Sequence, residues 1–195
     1  MTGVGTIEAG GAATAAAPRL LTAEEHLRDH GDGRTELVRG RLVRKDMPGE
    51  RHGEIAGFVY LRLINWGGPR GFKVMIEAGN VLARNPDTVR LPDVSAIEAS
   101  KPPGGELAVG YGEVPLDVAV EVRSPDQTLR SLRSKLKEYA AAGTPLCWLV
   151  DPGTRTVEVF ENGEPTATLT DADRIDGGTT LPGFACDVRL FFEMT

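Results

Sequence analysis

Residues 117–125, Asp-Val-Ala-Val-Glu-Val-Arg-Ser-Pro, constrain the fold more than any other stretch of the chain. Three valines and an alanine in a short run, closed by Ser-Pro, predict a β-strand near the centre of a sheet. Glu121 stands in the middle of that run. Glutamate is depleted from such strands and is almost never fully buried without a partner. An isolated buried carboxylate would sooner take up a proton than stay charged. Glu121 therefore has to meet a cation, a metal ion or a water-filled cleft; the plainer reading leaves it solvated at a strand end. With a side-chain period of two, Asp117, Ala119, Glu121 and Arg123 share one face, and Val118, Val120 and Val122 pack the other. Glu121 and Arg123 are thus expected to point into the same space.

The elements around this strand follow from periodicity and punctuation. A helix is expected from about Thr128 to Ala142, closed by Gly143, with a stripe of Leu129, Leu132, Leu136, Tyr139 and Ala140. At about 100° per residue, Lys135 lies roughly 40° from Tyr139, on the flank of that stripe, whereas Lys137 lies well outside it. "PLCWLVDP" (145–152) reads as a buried strand. "TVEVFENGEP" (156–165) alternates and turns at Asn162-Gly163, and "TATLTD" reads as a further edge strand. Upstream, Thr22-Ala-Glu-Glu25 is a capping box that opens a short helix to about Asp29. "TELVRGRLVRK" (35–45) is a hairpin about Arg39-Gly40. Residues 51–66 carry Ile55, Phe58, Val59, Leu63 and Trp66 at helical spacing. Strands are expected at about 72–77, 79–83 and 91–97. The expected architecture is α/β: one domain over 19–195, with a mixed β-sheet flanked by helices, an N-terminal hairpin and C-terminal strands. Residues 1–18 are Gly/Ala/Thr-rich with one charge, Glu8, and are expected to be a disordered tail.

Bulk properties exclude several classes. Hydrophobic content is 41%, charged content 26%, and net charge −6 with a pI of about 5.2. This balance does not suit a strongly basic nucleic-acid binder. It does not exclude a nuclease, whose carboxylate cluster is acidic until metal binds. No apolar stretch approaches the roughly 20 residues needed to span a bilayer. Cys147 and Cys186 lack metal-type spacing, and a reduced, buried Cys147 points to the cytoplasm.

Three acids share one trait: Glu36, Asp93 and Glu121 each interrupt an apolar strand, and strands that neighbour one another would bring them to one site. Carboxylates are the preferred ligands of Mg²⁺ and Mn²⁺, and Pro92 helps to confine Asp93 to the start of its strand. Chance strand-edge acids and a snorkelling Lys135 are the plainer alternatives.

The spacing resembles a known family. "ELVRGRLV", His52, "LPDVSAI", "VAVEVRSP", "KLKEYAAAGTPLCWLVDP" and "LPGF" occur in the order seen in the Uma-two family of restriction-endonuclease-like proteins, within the PD-(D/E)XK nuclease superfamily. The resemblance covers about residues 20–192. It implies that Asp93 and Glu121 are metal ligands, joined by the Val122 carbonyl. It implies that Lys135 is the active-site lysine, displaced onto the following helix, and that Glu36 joins the site from the hairpin. His52, Arg123 and Tyr139 are secondary candidates. Arg123 stands where the superfamily pattern has lysine and so rivals Lys135. The resemblance further implies an Mg²⁺- or Mn²⁺-dependent endonuclease, with one or two ions, acting on DNA. Arg39, Arg41, Arg44, Lys45, Arg130, Arg133 and Lys137 are candidates for a phosphate-facing rim, with solvated surface charge as the plainer reading. No membrane is involved, and a homodimer is allowed. The alternative is a non-catalytic, dimeric interaction module on the same fold, since fold does not fix function.

Overall fold

Thr22 opens α1 (Ala23–His30). Its side chain accepts from the Glu25 amide, and the Glu25 carboxylate accepts from the Thr22 amide, which satisfies two otherwise orphaned donors. The computed structural model describes residues 19–193, so the expected tail at 1–18 lies outside the described residues. β1 (Thr35–Val38) and β2 (Arg41–Arg44) form the expected hairpin. Arg39 and Gly40 both take positive φ, 50° and 73°, as a two-residue turn matched to strand twist demands. A Cβ on Gly40 would lie 2.6 Å from that of Leu20, so glycine is needed there for space as well.

α2 (Glu50–Gly67) buries Ile55, Val59, Leu63 and Trp66 along one stripe. β3 (Phe72–Ile76), β4 (Asn80–Ala83), β5 (Thr88–Arg90) and β6 (Val94–Glu98) follow. The single strand expected over 91–97 is corrected here. Pro92 has no amide to donate, and the chain leaves one sheet at β5 and enters another at β6. β7 (Val118–Val122), α3 (Leu129–Ala141) and β8 (Leu146–Asp151) form the centre. β9 (Thr156–Glu161) and β10 (Glu164–Thr170) form a hairpin that absorbs the separate strand expected at "TATLTD". The small pair β11 (Arg174–Asp176) and β12 (Ala185–Asp187) precedes a terminal 3₁₀ turn, Val188–Phe191.

The main sheet has the order β10-β9-β8-β7-β6-β3, and the hairpin belongs to a four-stranded sheet, β2-β1-β5-β4. β7 and β8 run parallel and are joined by α3, while their neighbours are antiparallel. Both central strands are buried along their whole length. The two faces of β7 separate as its alternation dictates. Val118, Val120 and Val122 pack with Trp148, with Val150 and with α2. Ala119 packs with Leu149 against Leu132, Leu136 and Tyr139 of α3. Glu121 has the parity of Ala119 and so looks toward α3. None of the described helices is long and apolar enough to cross a membrane.

Candidate active site

Burial and pairing answer the question that Glu121 raises. The residue is 3% exposed, and protein groups meet both of its oxygens. The Tyr139 hydroxyl donates to Oε1 at 2.8 Å. The Lys135 ammonium donates to Oε2 at 2.9 Å and stands 2.8 Å from Oε1. The same ammonium is 2.8 Å from Glu36 Oε1. Helical geometry makes this possible: Lys135 and Tyr139 are one turn apart, on the side of α3 that packs on the sheet. Glu36 reaches the lysine from the four-stranded sheet. Its strand β1 does not neighbour β6 or β7, so the expectation of three adjacent acid-bearing strands is corrected to two sheets that meet across one lysine.

Glu36 is held in turn by Arg90, whose Nη1 donates to Oε2 at 2.7 Å, and by the Leu91 amide at 3.0 Å. Arg90 also donates from Nε to Glu138 on α3 at 2.8 Å. Sequence reasoning missed Arg90 and Glu138. Their partners lie 54 and 48 residues away in the chain, and no local spacing signals such pairs.

Asp93 ends the turn between β5 and β6, one residue before the strand begins, as Pro92 suggests. Its Oδ2 accepts from the Val122 amide at 2.7 Å and from His52 Nε2 at 3.1 Å. An ionised carboxylate only accepts, so Nε2 carries the proton in this pair. Asp93 Oδ1 has no protein hydrogen-bond partner among the described residues. Glu36, His52, Arg90, Asp93, Glu121 and Lys135 all line one cleft of about 430 Å³. Arg44 and Lys45 of the expected phosphate rim line it too, whereas Arg133 is committed to Glu158 by two hydrogen bonds.

The electrostatics follow from this geometry. Burial pushes the Glu121 carboxyl up to about 7, against the pull of Lys135, and the charges of Asp93 and Glu36 add to the push. For Lys135, burial works toward deprotonation, but Glu121 and Glu36 outweigh it and hold the ammonium above its ordinary range. Each of these two partners resists the other's neutralisation. Every group touching Glu121 donates to it, so the arrangement is built for a carboxylate beside an ammonium. Glu36 is held low because Lys135 and Arg90 overcome its burial. Burial, then Glu121, raises Tyr139 well above the phenolic range and keeps it a donor. His52 is raised because its bond to Asp93 overcomes burial.

The expectation that Arg123 shares the space of Glu121 is corrected. β7 ends at Val122, and the Arg123 amide makes a last bond to the Val150 carbonyl at 2.8 Å. Beyond it the alternation is lost. The Arg123 guanidinium donates to Asp151 Oδ2 at 2.8 Å and to the Gln127 carbonyl at 3.1 Å, and it lines a neighbouring pocket.

The donor set was compared with the needs of a hard divalent ion. Asp93, just before β6, and Glu121, on the adjacent antiparallel β7, offer oxygen, and Asp93 has an unengaged oxygen among the described residues. The two carboxylates fit such an ion in chemistry. Glu36 does not complete the set, because Lys135 stands between it and Glu121. Accordingly, no group of three or more His, Cys, Asp or Glu is drawn together to hold a metal among the described residues.

Comparison with known proteins agrees with this architecture. A crystal structure of "a putative nuclease belonging to DUF820" from Anabaena variabilis ATCC 29413 is 21% identical. It superposes with a TM-score of 0.77 over 88% of this chain and 97% of that one, which shows the fold. A cryo-EM structure of a DrdV–DNA complex is 20% identical over 69% of this chain and 11% of that one; its TM-score of 0.39 is too low to carry an argument. No curated protein matches the chain. The model of the Uma2 family, described as "Putative restriction endonuclease", matches residues 21–189, and the chain belongs to that family.

Proposed function

We propose that the protein hydrolyses DNA phosphodiester bonds with the help of Mg²⁺ or Mn²⁺, held by Asp93, Glu121 and the Val122 carbonyl. One observation carries the reading: a buried ammonium, Lys135, shared between Glu36 and Glu121 in a cleft that also holds Asp93. The family description and the nuclease named for the structural neighbour support the same reading. When bound, the ion would polarise a phosphoryl oxygen and lower the pKa of a coordinated water.

The chain's own residues do the rest. Lys135 is placed to donate to a phosphoryl oxygen as negative charge grows on it, the role of a preorganised donor. Glu36 and Tyr139 act as positioning residues: Glu36 holds the ammonium from the second sheet, and Tyr139 fixes the plane of Glu121. His52 and the Val122 amide fix Asp93 so that Oδ1 faces its task. Seated against Asp151, Arg123 is outside this machinery.

A rival reading, an interaction module with no activity, draws support from one observation. Both oxygens of Glu121 are already satisfied by protein donors, so the network also serves as an internal tie. Plasmid nicking with Mg²⁺ or Mn²⁺, beside an Asp93→Ala control, separates the two readings. Metal-dependent nicking that the control lacks is the expected result. A wild-type protein that leaves the plasmid intact with both metals hands the cleft to the rival.

A further inference from the structure

Next to the acidic cleft lies a second pocket of about 300 Å³, walled by Gly49, Arg51, Arg123, Asp151 and the Pro152-Gly153 turn. His52 and Ser124 line both pockets, so the two adjoin. Their linings differ in charge. The first holds Glu36, Asp46, Glu77, Asp93, Glu121 and Asp126 against four Arg or Lys side chains. The second holds two arginines and the single carboxylate of Asp151, and since Arg51 is tied to Glu54 and to the Phe192 carbonyl, Arg123 is the arginine that matters there. The Asp151 carboxylate is spent internally: Oδ2 accepts from Arg123 and Oδ1 from the Gly153 amide at 2.9 Å.

Arg123 is built as a fixed fork. Nε is held by the Gln127 carbonyl and Nη1 by Asp151, from two different elements. Nη2 has no protein hydrogen-bond partner among the described residues, and the side chain is 30% exposed. A guanidinium held at two of its three nitrogens has little conformational entropy left to lose when the remaining Nη2 meets an anion, and a charged N–H donor suits a phosphoryl oxygen. We propose that this pocket is a phosphate subsite: Arg123 takes the backbone phosphodiester next to the one presented to the acidic cleft. The proposal rests on the nuclease reading and deepens it, since it gives Arg123 the task of seating the strand rather than assisting the chemistry. A phosphate held in the basic pocket sets the register of its neighbour across the shared edge at His52 and Ser124.

The test uses the full chain and a short DNA duplex. Binding is measured by fluorescence anisotropy in EDTA across a salt series, and cleavage by single turnover at saturating Mn²⁺. Removal of one arginine–phosphate contact should weaken binding by about tenfold in Arg123→Gln. The salt slope should become shallower by about 0.9, one phosphate contact. The maximal cleavage rate should stay within about threefold, because only uniform binding is lost. Arg133→Gln, at a side chain that is held by Glu158 and lines neither pocket, should leave binding and cleavage alone. Since Arg123→Gln strips the partner of a buried Asp151, the double variant Arg123→Gln/Asp151→Asn is measured beside it and should show the same slope. A second measurement leaves the protein untouched: single methylphosphonate linkages are placed one by one on either side of the scissile bond. Binding should fall at a linkage adjacent to that bond as well as at the bond itself. An unchanged salt slope in both Arg123 variants, or a methylphosphonate scan with no sensitive flanking linkage, overturns the subsite. A collapse of the maximal rate in Arg123→Gln at full affinity overturns it in favour of a chemical role. A wild-type protein that neither binds nor cleaves the duplex removes the nuclease reading along with the subsite. Normal wild-type cleavage with an indifferent Arg123 removes the subsite alone.

Discussion

Arg84 and Lys135 are each tied to more than one acid, and they live in different solvents. Arg84 joins Glu24 at 2.8 Å, Asp87 at 2.9 Å and Glu113, on a surface where its side chain is 38% exposed and those of Glu24 and Glu113 are 67% exposed. Lys135 joins Glu36 and Glu121, where all three side chains are 12% exposed or less. In water such pairs are worth about 0–1 kcal/mol, because screening and side-chain ordering offset the attraction. In a dry site the desolvation penalty can exceed the attraction, and well-packed apolar side chains would often serve stability as well. The surface network needs no purpose beyond solvation and a small tie. The buried one is a poor way to build stability and a good way to hold charge ready, which is why chemistry is assigned to it.

The largest expected effect breaks the comparison if it fails. Lys135→Ala should lower single-turnover nicking at saturating Mn²⁺ by roughly 10²-fold or more, the scale lost with a transition-state donor. It should also cost about 3–5 kcal/mol in denaturant titration, because Glu36 and Glu121 are left buried without their cation. A Lys135→Ala protein as stable and active as an Arg84→Ala protein would erase the distinction between the two networks.

Metal should act on one network only. At 100 times its dissociation constant, Mg²⁺ or Mn²⁺ should stabilise the wild-type protein by about 2.7 kcal/mol, read as a rise in Tm. Glu121→Gln should abolish that rise and Arg84→Ala should keep it. A full response from Glu121→Gln would move the metal out of the cleft.

A third measurement sharpens the surface side. His26 sits on α1, the helix that carries Glu24. It is fully buried between the Tyr111 hydroxyl, 2.8 Å from Nδ1, and Thr35, 3.0 Å from Nε2. Burial lowers its pKa, and His30 adds to the effect. The unfolded chain therefore takes up this proton first, at about pH 6.5. The contribution of His26 is complete above that pH and is lost as pH falls from it toward the depressed folded value. His26→Gln should flatten that acid slope relative to wild type, and equal slopes would mean that the α1 region holds no buried titrating group. The smallest effect closes the series: Arg84→Ala should change stability by no more than about 1 kcal/mol and leave nicking unchanged.

Much of this was legible before any coordinates. The capping box at Thr22, the Arg39-Gly40 turn, the stripe of α2 and the β7–α3–β8 centre are local patterns, and their physics is complete within a few residues. Lys135 beside Tyr139 was legible for the same reason, since one helical turn fixes both. What stayed hidden depends on distant approach. Pro92 splits an apolar run between two sheets, yet the run itself reads as one strand. Arg90 and Glu138 acquire meaning only when β5 meets α3. The departure of Arg123 follows from where β7 stops pairing, one residue before strict alternation would place its side chain beside Glu121.

The crossover that carries the lysine has a consequence for how such a chain tolerates length change. α3 is locked in rotation by Leu132, Leu136 and Tyr139 beneath it. One residue inserted between Thr128 and Lys135 forces a choice between keeping those side chains seated and keeping the N-cap. If the stripe holds, the cap unwinds; if the cap holds, the ammonium swings by about 100° away from the acids. The same residue inserted into the exposed Pro125-Asp126 turn leaves the count from Thr128 intact, at the cost of the hydrogen bonds that tie Arg123 and Ser124 to Gln127. The chemistry of the cleft is therefore indexed by counting from Thr128, and a change of length between the strand that holds the acid and the cap that starts the count spares the lysine while loosening Arg123.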